Sequence, residues 1–565
     1  MSTSNAPLID HLAVMFAERV RADGDRTALH VIRDGQYQPR TWNAFAADVR
    51  RAAGALMRLG VSPGDRVIQV AENRYEWLVA DLAILYAQAV HVPVHAMLTG
   101  PQIAYQIEDS GAQVVLVSGA EQTDKISREV SRLSRPMTLV SYDPANAGSV
   151  AGQSIACWPE LLAATSEDEG LSIEQQALAA ALPDALATIL YTSGTTGEPK
   201  GVMLSHRNLA SNARASVEAF GVVADDLRLT WLPLSHIFAR TCDFYSWIAT
   251  GTQLALAESR ETVLQNCQQI RPTLINGVPY FYEKVMQKLV ESGQADAAGV
   301  LSHLFGGRMR LCCSGGAALP DHIATFFTQR GLLLIQGYGL TECAPVMTMN
   351  TERAHRLGTV GQPPRGVEVR IASDGEILTR GPHVMLGYWN RPQATAEALK
   401  DGWLYSGDLG QLDADGYLSI TGRKKELIVT SAGKNIAPVM LESLLTADPL
   451  IQQALVVGDG RSYLTALIVM APEALRQELD RQKMDEMSDD PCVDPRIVAL
   501  YQQRINARLA GVSPQEQVRK FTLLSQPFTV ESGELTPTLK LRRGIISERH
   551  AAAINAMYAR AATIG

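Results

Sequence analysis

The stretch LYTSGTTGEPKG, residues 190–201, sets three glycines, four serine or threonine hydroxyls and one lysine at the end of the apolar run LATIL. Such a run predicts a strand, and small residues at its carboxyl end let backbone N–H groups converge on an anion. The residues in position to do so are Thr192, Ser193, Gly194, Thr195, Thr196 and Gly197, with Lys200 adding a mobile positive charge. The spacing is not that of a Walker loop, whose lysine directly follows the last glycine and opens a helix; here Glu198 and Pro199 intervene. A strand that delivers such a turn belongs to an α/β sheet, where ligands sit beyond the carboxyl ends of the strands.

The same pattern recurs outward from this stretch. DRVIQVAE, GAQVVLVSG, PTLINGVP, MRLCCSGG and LLLIQGYG are apolar runs that end at glycine or a polar turn, with helix-like stretches between most of them. This alternation predicts an α/β fold around largely parallel sheets. WLVADLAILYAQAVHVPV, from Trp77, is interrupted by Asp81 and Gln88 and reads as a buried helix and a strand rather than a bilayer span. From about Gly358 to Ile420 short strands with turn signals point to a small antiparallel or barrel-like subdomain. Helix and strand patterns resume after TGRKKELIV, with Gly458-Asp459-Gly460 as a hairpin turn. The expected organisation is a large N-terminal domain, residues 1–421, of α/β subdomains plus the β-barrel-like subdomain, and a small mobile C-terminal α+β domain, residues 422–565.

Composition narrows the function classes. With 565 residues, 46% apolar, 19% charged and a net charge of −8, the chain reads as an ordinary globular enzyme without the basic footprint of a nucleic-acid binder. Seven cysteines without CxxC spacing suggest a reducing compartment and no zinc site. The start, MSTSNAPLIDHLAVMF, lacks the basic and apolar regions of a secretory signal, so a cytoplasmic protein is expected.

YTSGTTGEPKGVMLSHRNL closely resembles the phosphate loop of the adenylate-forming superfamily, which includes acyl-CoA synthetases, luciferases and the adenylation domains of peptide synthetases. The other segments of that family follow in order: WLPLSHIFAR (231–240), SGGAAL (314–319), GYGLTE (337–342), YSGDLG (405–410), GRKKELIV (422–429) and TPTLKLRR (536–543). The resemblance runs from about residue 25 to 545. LPLSHIFAR, ELIVTSAGKNIAP and TPTLKLRR resemble long-chain fatty acyl-CoA synthetases in particular.

The resemblance implies roles residue by residue. Gly315, Gly316 and Ala317 offer a backbone surface for adenine; Gly337 and Gly339 allow close approach, and Tyr338 gives adenine a flat face. Thr341 offers its hydroxyl to the α-phosphate, and Glu342 a hard oxygen ligand to Mg²⁺. Asp408, expected just before a turn, accepts the ribose hydroxyls, and Arg423 contacts the same ribose. His236 lies in the wall between acyl pocket and thiol channel, while Arg240 completes the long-chain string as either a solvated or a paired charge. Lys540 is the lysine that the small domain brings to the carboxylate and α-phosphate. Lys425 holds the hinge position, and Gly433 lies beside the pantetheine arm of CoA.

The implied activity is ATP- and Mg²⁺-dependent activation of a long-chain fatty acid to acyl-AMP, followed by transfer to CoA as a thioester. The nearest alternatives are a fatty acyl-AMP ligase that loads a carrier protein and a CoA ligase for another hydrophobic acid. The absence of the extra segment that such acyl-AMP ligases carry favours CoA. A non-catalytic nucleotide-binding protein is a third reading, opposed by the joint presence of Lys200, Glu342, Asp408, Arg423 and Lys540. Peripheral contact with a membrane is compatible with lipid-partitioning substrates, although no amphipathic basic helix stands out.

Overall fold

The computed structural model describes residues 10–150, 153–192, 198–431, 434–482, 490–529, 531–535 and 541–559. By compactness the chain divides into two units. The first comprises Met1–Arg370, Leu378–Ser406 and Ala414–Leu418; the second comprises Ile371–Ile377, Gly407–Asp413 and Ser419–Gly565.

Two large mixed sheets carry the first unit. The eight-stranded sheet runs Val346–Met349, Leu333–Gly339, Leu311–Ser314, Leu274–Gly277, Leu227–Thr230, Gln253–Leu256, Thr27–Arg33 and Gln36–Thr41. The nine-stranded sheet runs Gly387–Tyr388, Lys200–Ser205, Leu186–Thr192, Val90–Val94, Arg66–Val70, Val114–Val117, Thr138–Ser141, Gln153–Cys157 and Gly148–Val150. Their central pairings are parallel, and antiparallel pairing is confined to the edges. The apolar runs singled out in the sequence are these central strands, and residues such as Ile68, Val92, Val115 and Ile189 are fully buried. A strand covered on both faces must be apolar throughout.

Local chemistry fixes where elements begin. Strand Lys200–Ser205 turns straight into helix His206–Phe220 because Ser205 and Asn208 form a reciprocal capping box. The segment 77–94 is helix Tyr75–Tyr86 followed by strand Val90–Val94, and no described helix is long and apolar enough to cross a membrane. Trp42 stacks on Trp247 at 4.3 Å, with Phe16 and Phe45 around them, tying helices Leu12–Asp23, Trp42–Arg58 and Ser246–Thr250 into one aromatic core.

The π-helical turn Arg240–Tyr245 reaches both large sheets. Arg240 donates to Thr188 Oγ1 of the nine-stranded sheet at 2.7 Å, and Asp243 pairs with Arg228 of the eight-stranded sheet at 3.1 Å. Of its two readings as solvated or paired, Arg240 is paired and wholly buried.

Helix Leu12–Asp23 starts at His11, whose ring stacks on His206 at 3.6 Å; both rings are buried and neither Nδ1 has a hydrogen-bond partner. Burial lowers the His11 pKa to about 4, and burial followed by the His11 charge lowers that of His206 well below its usual value. The folded state therefore holds a neutral pair that the unfolded chain protonates below about pH 6.5. Stability is present above that pH and falls as pH drops toward 4, by about 2 kcal/mol at pH 5 for His11 alone. Urea midpoints at pH 7 and 5 should diverge more for the wild type than for His11→Phe. Equal slopes would rule out this origin of acid lability.

Between residues 358 and 423, short strands form a five-stranded sheet in the order Glu368–Ile371, Glu376–Arg380, Trp403–Leu412, Leu399–Lys400, with Leu418–Arg423 also paired to Trp403–Leu412. In the second unit, strands Ile451–Val457, Leu464–Met470 and Val518–Leu524 make a three-stranded sheet, and the first two form the expected hairpin. Alternation decides its two faces. Ala454, Val456, Ala466 and Ile468 pack with Leu441 and Tyr501, while Leu455, Leu467 and Val469 pack with Phe528 and Ile546.

Candidate active site

Parallel pairing brings the glycine-rich segments together. Ser314 lies opposite Gln336 on adjoining parallel strands, so Gly315, Gly316 and Ala317 leave one carboxyl edge beside Gly337, Tyr338 and Gly339. These glycines are required by close approach. A Cβ on Gly339 would lie 1.7 Å from the Pro345 carbonyl oxygen, and one on Gly315 would lie 2.8 Å from the Phe238 ring. Phe238 belongs to the segment that follows strand Leu227–Thr230 of the same sheet, so His236 is carried to this edge as well. His236 Nδ1 accepts from Phe238 N at 3.2 Å, which leaves the proton of the neutral ring on Nε2.

Thr341 and Glu342 open a single 3₁₀ turn directly after Gly339-Leu340. Glu342 Oε1 accepts from the Tyr388 hydroxyl at 2.8 Å, and Lys200 Nζ stands 5.1 Å from the centre of the Tyr388 ring. Strand Gly387–Tyr388 makes this possible by pairing antiparallel with Lys200–Ser205, Val202 opposite Tyr388. Burial, followed by the Glu342 carboxylate, raises the Tyr388 pKa, so the phenol stays a donor. Lys200 lies opposite Thr192 across the hairpin that brackets residues 193–197, and the Thr192 hydroxyl reaches Lys200 O at 3.5 Å. Lys200, Thr192, Glu342 and Tyr388 thus form one cluster, with hydroxyl, ammonium and carboxylate groups suited to a metal-bound polyphosphate.

In the second unit, Asp408 is buried inside strand Trp403–Leu412, not before a turn as expected, and accepts from Arg423 Nε at 2.5 Å. The paired strand Leu418–Arg423 ends at that arginine, so pairing sets the two residues side by side. Lys425 is exposed in the 3₁₀ turn Lys424–Glu426. Its neighbours are anchored, Lys424 to Asp374 and Glu376 at 2.6 and 2.8 Å and Glu426 to Arg543 at 3.4 Å. Ser193, Gly194, Thr195, Thr196, Gly197, Gly433 and Lys540 lie outside the described residues.

The sequence matches the AMP-binding enzyme family over residues 16–389 and the AMP-binding enzyme C-terminal domain over residues 425–562. The chain belongs to the AMP-binding enzyme family. Its relatives include the long-chain-fatty-acid–CoA ligase FadD15 of Mycobacterium bovis and of Mycobacterium tuberculosis, each 35% identical over 97% of this chain and 97% of theirs. The long-chain-fatty-acid–CoA ligase ACSBG2 of Gallus gallus is 29% identical over 99% of this chain and 82% of its own. Among solved structures, the anthranilate CoA ligase AuaEII in complex with anthranoyl-AMP aligns with a TM-score of 0.77 at 22% identity, covering 98% of this chain and all of that one. ATP-bound MatB from Rhodopseudomonas palustris aligns at 0.75 and 24%, covering 95% and 99%. These two share the AMP-binding enzyme fold.

Two contributors to this AMP-binding enzyme's site went unread in the sequence. Tyr388 lies in VMLGYWN, where nothing local announces a partner for Glu342, and Asn73 holds the turn before His236 by hydrogen bonds to Leu232 O and Leu234 N at 2.7 and 2.8 Å.

Proposed function

We propose that this chain is an ATP-dependent ligase that joins a long-chain fatty acid to CoA through a bound acyl-adenylate. The observation that carries the reading is 35% identity to long-chain-fatty-acid–CoA ligases over nearly the whole of both chains. In the first half-reaction a carboxylate oxygen attacks the α-phosphorus of ATP, and pyrophosphate leaves. In the second, the CoA sulfur attacks the acyl carbonyl, the bond to phosphate oxygen breaks and AMP departs, the thiol proton passing to solvent.

The side chains divide this work. Ser193 to Gly197 with Thr192 hold the β- and γ-phosphates; Lys200 and Lys540 offset the charge on the transferring phosphoryl oxygens, and Thr341 orients the α-phosphate. Gly315, Gly316, Ala317 and Gly337 to Gly339 receive adenine; Asp408 and Arg423 receive ribose. Mg²⁺ fits Glu342: Oε1 is taken by Tyr388, Oε2 remains for a cation, and no cluster of three metal-ligating side chains occurs among the described residues. One carboxylate with phosphate and water oxygens is a typical Mg²⁺ environment, and the ion supplies neutralisation of phosphate charge. Rotation of the C-terminal domain, residues 422–565, about Lys425 exchanges Lys540 for the segment of Gly433, which lies along pantetheine. Seven free cysteines accord with a reducing, cytoplasmic setting.

Pyrophosphate release across acids from acetate to oleate and aryl acids, each with and without CoA, tests the reading. Acyl-CoA formed from long acids supports it; acyl-AMP that is never passed to CoA would replace it with carrier-protein loading. Tyr388→Phe keeps the ring under Lys200 and removes the hydrogen bond to Glu342. The Mg²⁺ concentration for half-maximal protection of ATP-bound enzyme against unfolding should rise about tenfold. An unchanged Mg²⁺ requirement would separate Tyr388 from the metal.

A further inference from the structure

The segment VPVHAMLTG, residues 92–100, has no part in the chemistry above, yet its histidine is carried to the edge of the site. Strand Val90–Val94 runs parallel to Leu186–Thr192, with His91 opposite Thr188. His95 therefore leaves the nine-stranded sheet at the same carboxyl edge from which the phosphate loop departs. Its Nδ1 lies 2.7 Å from Ser235 Oγ, and its ring is 6.2 Å from that of His236 with the planes 27° apart.

Asn73 supplies the second tie. It stands beyond the carboxyl end of strand Arg66–Val70, which adjoins Val90–Val94, and grips Leu232 and Leu234. The turn that presents His236 comes from the other sheet, so its backbone is held at Leu232 and Leu234 and its side chain at Ser235 by two neighbouring strand ends. Burial lowers the His95 pKa below its ordinary value, so near neutral pH the ring pairs with a hydroxyl without setting a charge beside His236.

We infer that His95 is a positioning residue for thioester formation: by holding Ser235, the residue next to His236 in the turn, it fixes the side chain that separates the acyl group from the route of the incoming thiol. The inference rests on the reading of His236 given above. A loose His236 leaves the attack of carboxylate on phosphorus largely unaffected, because that step is oriented by phosphate-binding groups. It degrades the angle and distance of sulfur attack on the acyl carbonyl, to which rates are steeply sensitive.

The half-reactions are measured separately in full-length protein: pyrophosphate release with oleate and ATP in the absence of CoA, and transfer from preformed oleoyl-AMP to CoA. His95→Phe keeps a ring and loses Nδ1; His95→Asn restores a polar atom near that position. His95→Phe should leave adenylation within about twofold and lower kcat/KM for CoA about tenfold, with His95→Asn recovering most of the loss. Equal loss in both half-reactions, no loss in either, or an asparagine variant as impaired as the phenylalanine one would overturn the inference. If His95→Phe does not fold, Ser235→Ala removes the same hydrogen bond and must show the same split. A wild-type enzyme that adenylates no fatty acid would instead overturn the ligase reading, and this inference with it.

Discussion

Replacing Arg240 with alanine is expected to destabilise the protein by roughly 3–5 kcal/mol, because it strands a buried carboxylate. Arg240 and Asp81 are both 0% exposed, and Arg240 Nη2 donates to Asp81 Oδ1 at 2.5 Å. His91 Nδ1 lies 2.6 Å from that oxygen and the Tyr245 hydroxyl donates to Oδ2 at 3.0 Å. Burial alone would raise the Asp81 pKa, but Arg240, His91 and Tyr245 together hold it below the ordinary value. Without the guanidinium, that fully buried carboxylate loses its permanent counter-charge and keeps only His91 and the Tyr245 hydroxyl as partners. Urea unfolding of Arg240→Ala, Asp81→Ala and the double variant makes the check. The double variant should lose less than the sum of the two single losses, and strict additivity would refute the pairing as the source of the effect. The consequence for function is positional, since the cluster ties helix Tyr75–Tyr86 and strands Val90–Val94 and Leu186–Thr192 to the turn that follows His236.

Lys540→Ala should slow acyl-adenylate formation by about 10²–10³-fold, the usual loss when one charge-stabilising donor is removed from a polar transition state. On the proposed reading two anions meet in that step, and Lys540 would share with Lys200 the neutralisation of the transferring phosphoryl oxygens. Transfer of preformed acyl-AMP to CoA should remain within a few-fold of wild type, because phosphorus has already reacted. Both rates are read from one preparation, by pyrophosphate release and by thioester formation. Equal loss of the two would deny the lysine its separate role.

The elements that were legible in the sequence are those with local causes. The central strands can be recognised without knowing their partners: Val114–Val117 and Leu311–Ser314 announce themselves by the continuous apolar residues that a two-sided sheet demands. The hairpin at Gly458-Asp459-Gly460 and the start of helix His206–Phe220 follow from turn and capping chemistry within a few residues. Asp408 was misjudged because YSGDLG carries a local turn signal, while its pairing with distant strands keeps it inside Trp403–Leu412.

By itself, then, the sequence determined the α/β class, the order of the glycine-rich segments along the chain and the family, because each depends on short-range pattern. Tertiary structure alone decided the partners: Tyr388 for Glu342 across 46 residues, His95 for Ser235 across 140, and Asp81 for Arg240 across 159. Hydrogen bonds and ion pairs of this kind form only after two sheets have brought remote strand ends together, and no local propensity encodes them.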